Sequence, residues 1–300
     1  MPTDIHPRSV PHIWIQAARP KTLPAAAAPV LMGIALALSA GAFHPVAAAL
    51  ALTAALLIQV GVNFHNDYAD FLQGADTEDR VGPLRVTQAG WVDPTTMRRA
   101  TVAVFALAVA AGTYLMIRGG WPIVAVGIAS IASAVWYTAG GSYSLASLGL
   151  ADVFVLIFFG PVAVGGTYYV QALQLPGYVL AVGLAPGLLS MAILLVNNIR
   201  DLANDRAAGR RTLVVRMGRS AAVALYGACF VGALALPVAL MNKTDTAWAA
   251  LLPLVLAPWA VYLVRAVATT HDPAAMNRLL AGTGRFLALY AVLFFIGWTL

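Results

Sequence analysis

Seven of the twelve acidic residues fall into two short stretches, Asn63 to Asp79 and Asn197 to Asp205. Each stretch closes an apolar run long enough to cross a bilayer. Both repeat one device, an Asn followed by Asp at helical spacing and then by arginines. Asn63, Asn66, Asp67 and Asp70 step by three or four residues along one helix face, and Asn197, Asp201 and Asp205 follow at i, i+4 and i+8, with Asn198 one position round. Two opposed rows of carboxylates and carboxamides repel one another in a partly desolvated bundle, so a cation has to lie between them. Oxygen donors without His or Cys at zinc spacing point to Mg²⁺, a hard ion that takes carboxylates, waters and substrate phosphates. His65, alone in the first row, reads as a packing or hydrogen-bonding residue.

Arg80 and Arg85 follow the first row, and Arg206, Arg210 and Arg211 the second. Acid, metal and guanidinium together suit a diphosphate leaving group, whose oxygens the metal bridges while arginine neutralises the charge that develops on departure. Arg80, Arg85 and Arg211 are assigned to that task. Arg206, Arg216 and Arg219 read as obeying the positive-inside rule. Gly74, Gly82 and Gly209 mark turns that would fold the loops back over the site.

The elements that position these rows are membrane helices. The chain is 61% hydrophobic and 10% charged, with a mean hydropathy of +0.81, far from ordinary soluble composition. Nine spans are predicted, at 22–41, 45–64, 100–117, 121–139, 150–171, 178–199, 220–241, 247–268 and 285–300. The fold class is therefore all-α, a polytopic bundle, with 1–300 forming one integral membrane domain. Of the 18 Lys and Arg, only Arg118 and Lys243 fall on the far side of this topology, which places the N-terminus and both acidic rows in the cytoplasm. That bias accounts for a pI near 9.7 without a nucleic-acid partner. The first apolar run, with Pro24 and Pro29 and no convincing cleavage motif, reads as a retained helix. Cys229 reads as a small buried hydrophobe. The likeness of the two row-bearing spans suggests two related halves with a site between them.

At these residues the chain resembles the UbiA superfamily of intramembrane aromatic prenyltransferases. Asn66-Asp67-Tyr68-Ala69-Asp70 matches that family's N-D-x-x-D motif, and Asp201-Leu202-Ala203-Asn204-Asp205 its D-x-x-x-D motif. Within the superfamily the likeness is to the 1,4-dihydroxy-2-naphthoate prenyltransferases. It is carried by Arg19-Pro20-Lys21-Thr22, by Arg80 to Arg85, by Phe158-Phe159-Gly160-Pro161, by Gly166 to Gln171, and by Asn197 to Asp201 with Gly209 to Thr212. Where the family commonly carries a third acid this chain has Gly74, and the next acid is Asp76. The basic Y-P-x-x-K-R segment of the 4-hydroxybenzoate branch is replaced by Tyr137-Thr138-Ala139-Gly140-Gly141-Ser142.

The resemblance implies transfer of a polyprenyl group from its diphosphate to 1,4-dihydroxy-2-naphthoate, with decarboxylation, in menaquinone biosynthesis at the bacterial inner membrane. It implies two Mg²⁺ ions on Asn66, Asp70, Asn197, Asp201 and Asp205, with Asn63, Asp67 and Asp76 as further ligands. Lys21, Arg80, Arg85 and Arg211 would bind phosphate or the acceptor carboxylate, and Tyr137, Tyr143 and the Phe158-Phe159 pair would flank an allylic cation. Asp70, Asp201, Asp205, Asn66 and Lys21 form the catalytic set. The partners are the two substrates and membrane lipid. Homogentisate or phytyl chemistry of the same superfamily is the alternative, and a cation-coupled transporter a more distant one.

Overall fold

The computed structural model describes residues 9–72, 85–138, 143–243 and 248–300, and the regular elements among them are helical. Asp76 and Arg80, with Gly74, Asp79 and Gly82, lie outside the described residues. Backbone polar groups in lipid are satisfied within helices or closed barrels, and here nine helical segments of the described residues are long and apolar enough to span.

The first begins with α1 (Val10–Ala18), which a short 3₁₀ turn (Pro20–Thr22) joins to α2 (Leu23–Ser39). Then come α3 (Pro45–Leu72), α4 (Pro94–Gly119) and α5 (Trp121–Thr138). A single-turn α6 (Leu145–Leu148) leads to α7 (Ala151–Ile157) and α8 (Ala163–Ala172), which make one span bent at Phe158–Val162. Pro161 lacks a backbone donor there, and Gly160 leaves the helical region. The remainder are α9 (Gly177–Arg200), α10 (Leu202–Ala207), α11 (Leu213–Leu240), α12 (Ala257–Thr269) and α13 (Pro273–Thr299).

Three boundaries differ instructively from the sequence expectation. Helix α3 runs on to Leu72, because Asn63, Asp67 and Asp70 are buried by neighbours and continue the helix beyond the apolar run. Helix α13 starts twelve residues before 285, where the Asp272 carboxylate caps the amides of Ala274 and Ala275. The second acidic row is not one continuous helix: α9 stops at Arg200, and Asp201 is the junction with α10.

Helix α9 occupies the centre, packed by α2, α7, α8, α11 and α13. Its Leu189, Leu195 and Val196 join Tyr226, Phe230, Phe286 and Tyr290 in the main core, and Cys229 is buried among them. The buried phenols are satisfied, Tyr290 donating to the Ala233 carbonyl at 2.7 Å and Tyr226 meeting the Thr283 hydroxyl at 2.8 Å. Helix α7 approaches α9 so closely that a Cβ on Gly187 would overlap the Leu156 carbonyl oxygen. A backbone oxygen cannot rotate aside, so Gly187→Val is expected to cost about 1–3 kcal/mol or more. Thermal unfolding in detergent checks this, and an unchanged midpoint would refute the close approach.

Candidate active site

Between the helices lies a cavity of about 1700 Å³. It follows α3 from Ala51 to Asp70, about 28 Å of helix at 1.5 Å per residue. Ala, Val, Ile, Leu, Met and Phe line most of its length, among them Val30, Ile58, Met116, Ile131 and Phe159. Its polar end gathers Lys21, Asn63, Asn66, Asp70, Arg85, Asn197, Arg200, Asp201, Asp205, Arg210 and Arg211. Helix α3 packs on α1, α2, α4, α5 and α8, and α9 on α2, α7, α8, α11 and α13, so the two rows reach one cavity from different helices.

The first row divides by task. The Asp70 carboxylate forms an ion pair with the Arg85 guanidinium, which also donates to the Asn66 carbonyl. The Asn66 side-chain oxygen accepts from the Thr138 hydroxyl, tying α3 to α5. Asp67, expected among the metal ligands, is placed away from the cavity. Its two oxygens accept the backbone amides of Val86 and Thr87 at 3.0 Å each, it is 1% exposed, and it is absent from the cavity wall. It anchors the chain that returns after the first row. Asn63 donates its amide to the Ala18 carbonyl (2.8 Å) and the Thr22 hydroxyl (2.9 Å), which fixes the approach to α2. His65 meets the Val135 carbonyl at 3.1 Å.

In the second row Asp201 faces the cavity with its side chain 27% exposed. Arg200 holds it through two bonds of 2.7 and 2.6 Å, and reaches the side-chain oxygens of Asn197 (3.0 Å) and of Asn277 on α13 (2.5 Å). Adjacent residues on a regular helix point apart, and the break at Asp201 is what lets Arg200 and Asp201 meet. Asp205 is buried and 3.4 Å from Arg210. Burial holds its carboxyl above the ordinary range, against the pull of that guanidinium.

A cap is built where α6 meets the chain before α11. The Arg211 amide donates to the Ser147 carbonyl, and Arg216 donates to the carbonyls of Leu148 (2.7 Å) and Arg211 (2.9 Å). Gly149, at φ +70°, comes so near the Arg211 carbonyl that a Cβ would lie 2.7 Å from it. Gly209 has φ +68° and turns the chain after α10. Arg216 and Arg219 thus have structural partners beyond a topological bias, Arg219 donating to the carbonyls of Val267 and Thr270. Tyr137, Phe158 and Phe159 line the cavity, as does Tyr143, which is 76% exposed. Arg200, Arg210, Thr138 and Asn277 were not singled out by sequence. Arg200 and Arg210 stand inside the quoted motifs and could have been, but nothing local signals Asn277.

Among the described residues no three His, Cys, Asp or Glu side chains converge as a ready metal cage. The donors are nonetheless all oxygen, and Mg²⁺ is commonly held by one or two carboxylates together with substrate phosphates. Asn66, Asp70, Asn197, Asp201 and Asp205 fit that mode.

Residues 26–299 match the UbiA prenyltransferase family. The 1,4-dihydroxy-2-naphthoate octaprenyltransferase of Escherichia coli (strain K12) is 37% identical over 292 residues, covering 95% of this chain and 94% of that protein. The protein of the same name from Mycobacterium tuberculosis is 37% identical over 279 residues, covering 93% and 94%. A solved UbiA homolog from Archaeoglobus fulgidus, bound to DMAPP and Mg²⁺, superposes with a TM-score of 0.65 over 96% of this chain and 99% of that one. At 14% identity that likeness is one of fold. A family match across nearly the whole length, relatives matched end to end and a helical bundle of the same shape agree that the chain belongs to the UbiA prenyltransferase family.

Proposed function

We propose that this chain transfers a polyprenyl group from polyprenyl diphosphate to 1,4-dihydroxy-2-naphthoate, releasing carbon dioxide and diphosphate, as a step of menaquinone biosynthesis. The observation that carries the reading is the cavity's polarity: carboxylates and arginines at one end, and an apolar length that suits an isoprenoid tail. The names of the 37% identical relatives supply the acceptor. The Archaeoglobus homolog's bound Mg²⁺ supports the choice of ion. The acidic end faces the cytoplasm in this reading, by the distribution of Lys and Arg.

Asn66, Asp70, Asn197, Asp201 and Asp205 would hold Mg²⁺, which when bound withdraws charge from the diphosphate and eases its departure. Arg85, Arg200, Arg210 and Arg211 line the same end and supply guanidinium donors for the phosphate oxygens. Lys21, exposed on its 3₁₀ turn beside α13, is placed to meet phosphate or the acceptor carboxylate. The allylic C–O bond breaks with its electron pair leaving on diphosphate, and the ring carbon that bears the carboxylate forms the new C–C bond. The carboxylate then leaves as carbon dioxide and returns its bonding pair to the ring. Tyr137, Phe158 and Phe159 offer aromatic faces to the cation and keep water away.

Membranes containing the protein, given dihydroxynaphthoate, labelled polyprenyl diphosphate and Mg²⁺, are expected to yield lipophilic demethylmenaquinol, which air oxidises to demethylmenaquinone during extraction. Turnover of 4-hydroxybenzoate or homogentisate in its place would overturn the acceptor assignment. Transport is disfavoured because the acids cluster at helix ends instead of mid-span.

A further inference from the structure

Each described carboxylate of the two rows that lines the cavity is held by an arginine: Asp70 by Arg85, Asp201 by Arg200, and Asp205 by Arg210. These guanidiniums stand where a cation is needed. The Arg200 side chain is only 3% exposed and that of Arg85 9%, so neither can relax into bulk water when its partner is taken.

A divalent ion arriving alone must displace the arginines from the carboxylates. It then leaves the buried Arg200 guanidinium without its carboxylate beside a dication, and a buried charge stripped of its counter-charge is strongly unfavourable. A diphosphate arriving alone faces three carboxylates that already engage the arginines it needs. When both arrive, the carboxylates pass to the metal and the guanidiniums to phosphate oxygens, and every charge keeps a partner. Arg200 is built for such a transfer. Its bond to Asn277, which is outside the proposed metal ligands, keeps the guanidinium at the cavity wall when it releases Asp201.

Resting on the metal-diphosphate reading of the site, we infer that Arg85, Arg200 and Arg210 act as stand-ins for the metal, so that divalent cation and diphosphate bind this chain as a coupled pair. The coupling is reciprocal, each ligand raising the affinity of the other by the same factor.

The sign of one substitution separates this from a merely structural ion pair. If Arg200 only props up Asp201, Arg200→Gln loosens the ligand and weakens cation binding. If Arg200 occupies the cation's place, the same change strengthens binding of the cation alone and diminishes the coupling. The test is Mn²⁺ binding to purified protein, read by paramagnetic resonance with and without inorganic pyrophosphate, after correction for the complex the two form in buffer.

Wild-type protein is expected to bind Mn²⁺ weakly alone and roughly 5- to 150-fold more tightly with pyrophosphate. Arg200→Gln should bind Mn²⁺ alone more tightly than wild type, with a smaller gain from pyrophosphate. Arg210→Gln, at the more exposed pair, should shift the same way and serves if Arg200→Gln fails to fold. Equal Mn²⁺ affinity with and without pyrophosphate, or weaker Mn²⁺ binding in the arginine variants, would overturn the inference. Asp201→Asn distinguishes the two levels: if it leaves Mn²⁺ binding intact under both conditions, the metal reading fails as well.

Discussion

Asp70→Ala and Asp201→Ala are each expected to lower prenyl transfer by about 10²- to 10³-fold or more, the usual cost of losing one group that stabilises developing charge. The two residues line one cavity from different helices, so the joint requirement reports a site that neither row completes alone. Asp201 is partly exposed on the cavity wall, and in its variant Arg200 keeps its bonds to Asn197 and Asn277, so the protein is expected to insert and fold with some loss of stability. Turnover of purified protein with saturating substrates and varied Mg²⁺ provides the measurement. Retained Mg²⁺-dependent activity in both variants would sink the two-row assignment.

Asp67→Ala has a different signature, although Asp67 stands three residues from Asp70 in the same motif. Its carboxylate takes two backbone amides, and charge-assisted bonds of that kind contribute about 1.5–3 kcal/mol each. Removing it leaves two buried donors unsatisfied and frees the chain at Val86 and Thr87. The loss is therefore expected in stability, about 3–6 kcal/mol, with the apparent affinity for Mg²⁺ unchanged in the protein that remains folded. A raised Mg²⁺ requirement at unchanged thermal stability would restore Asp67 to the metal.

Apolar runs announced the spans because lipid permits few other backbone solutions, and the nine expected stretches each fall within an observed spanning segment to within a few residues at their ends. The ends were less legible. Polar residues that extend a helix by burial, as in α3, look in sequence like the start of a loop, and the cap at Asp272 moved α13 outward. Within the site, spacing brought Asn66 and Asp70 to the cavity but could not separate Asp67, because its partners are backbone amides 19 and 20 residues away. Helical spacing also misdirected attention from Arg200, whose meeting with Asp201 depends on a break that no residue type announces. Asn277 was beyond reach, since it joins Arg200 only through the packing of α13 on α9.

At the end of the bundle remote from the acids, Arg118 donates to the carbonyls of Val170 (2.6 Å) and Gln171 (3.0 Å), and the Tyr169 hydroxyl donates to the Gly119 carbonyl (3.1 Å). The far part of the cavity wall, Leu115, Met116, Ile123 and Val170, stops at this seam between α4 and α8. The consequence is electrical insulation. A hollow about as long as the hydrocarbon layer is thick would short-circuit the ion gradient of an energised membrane if it were open at both ends. The bonds from Arg118 and Tyr169 that tie α4 to α8 oppose such an opening at the far end.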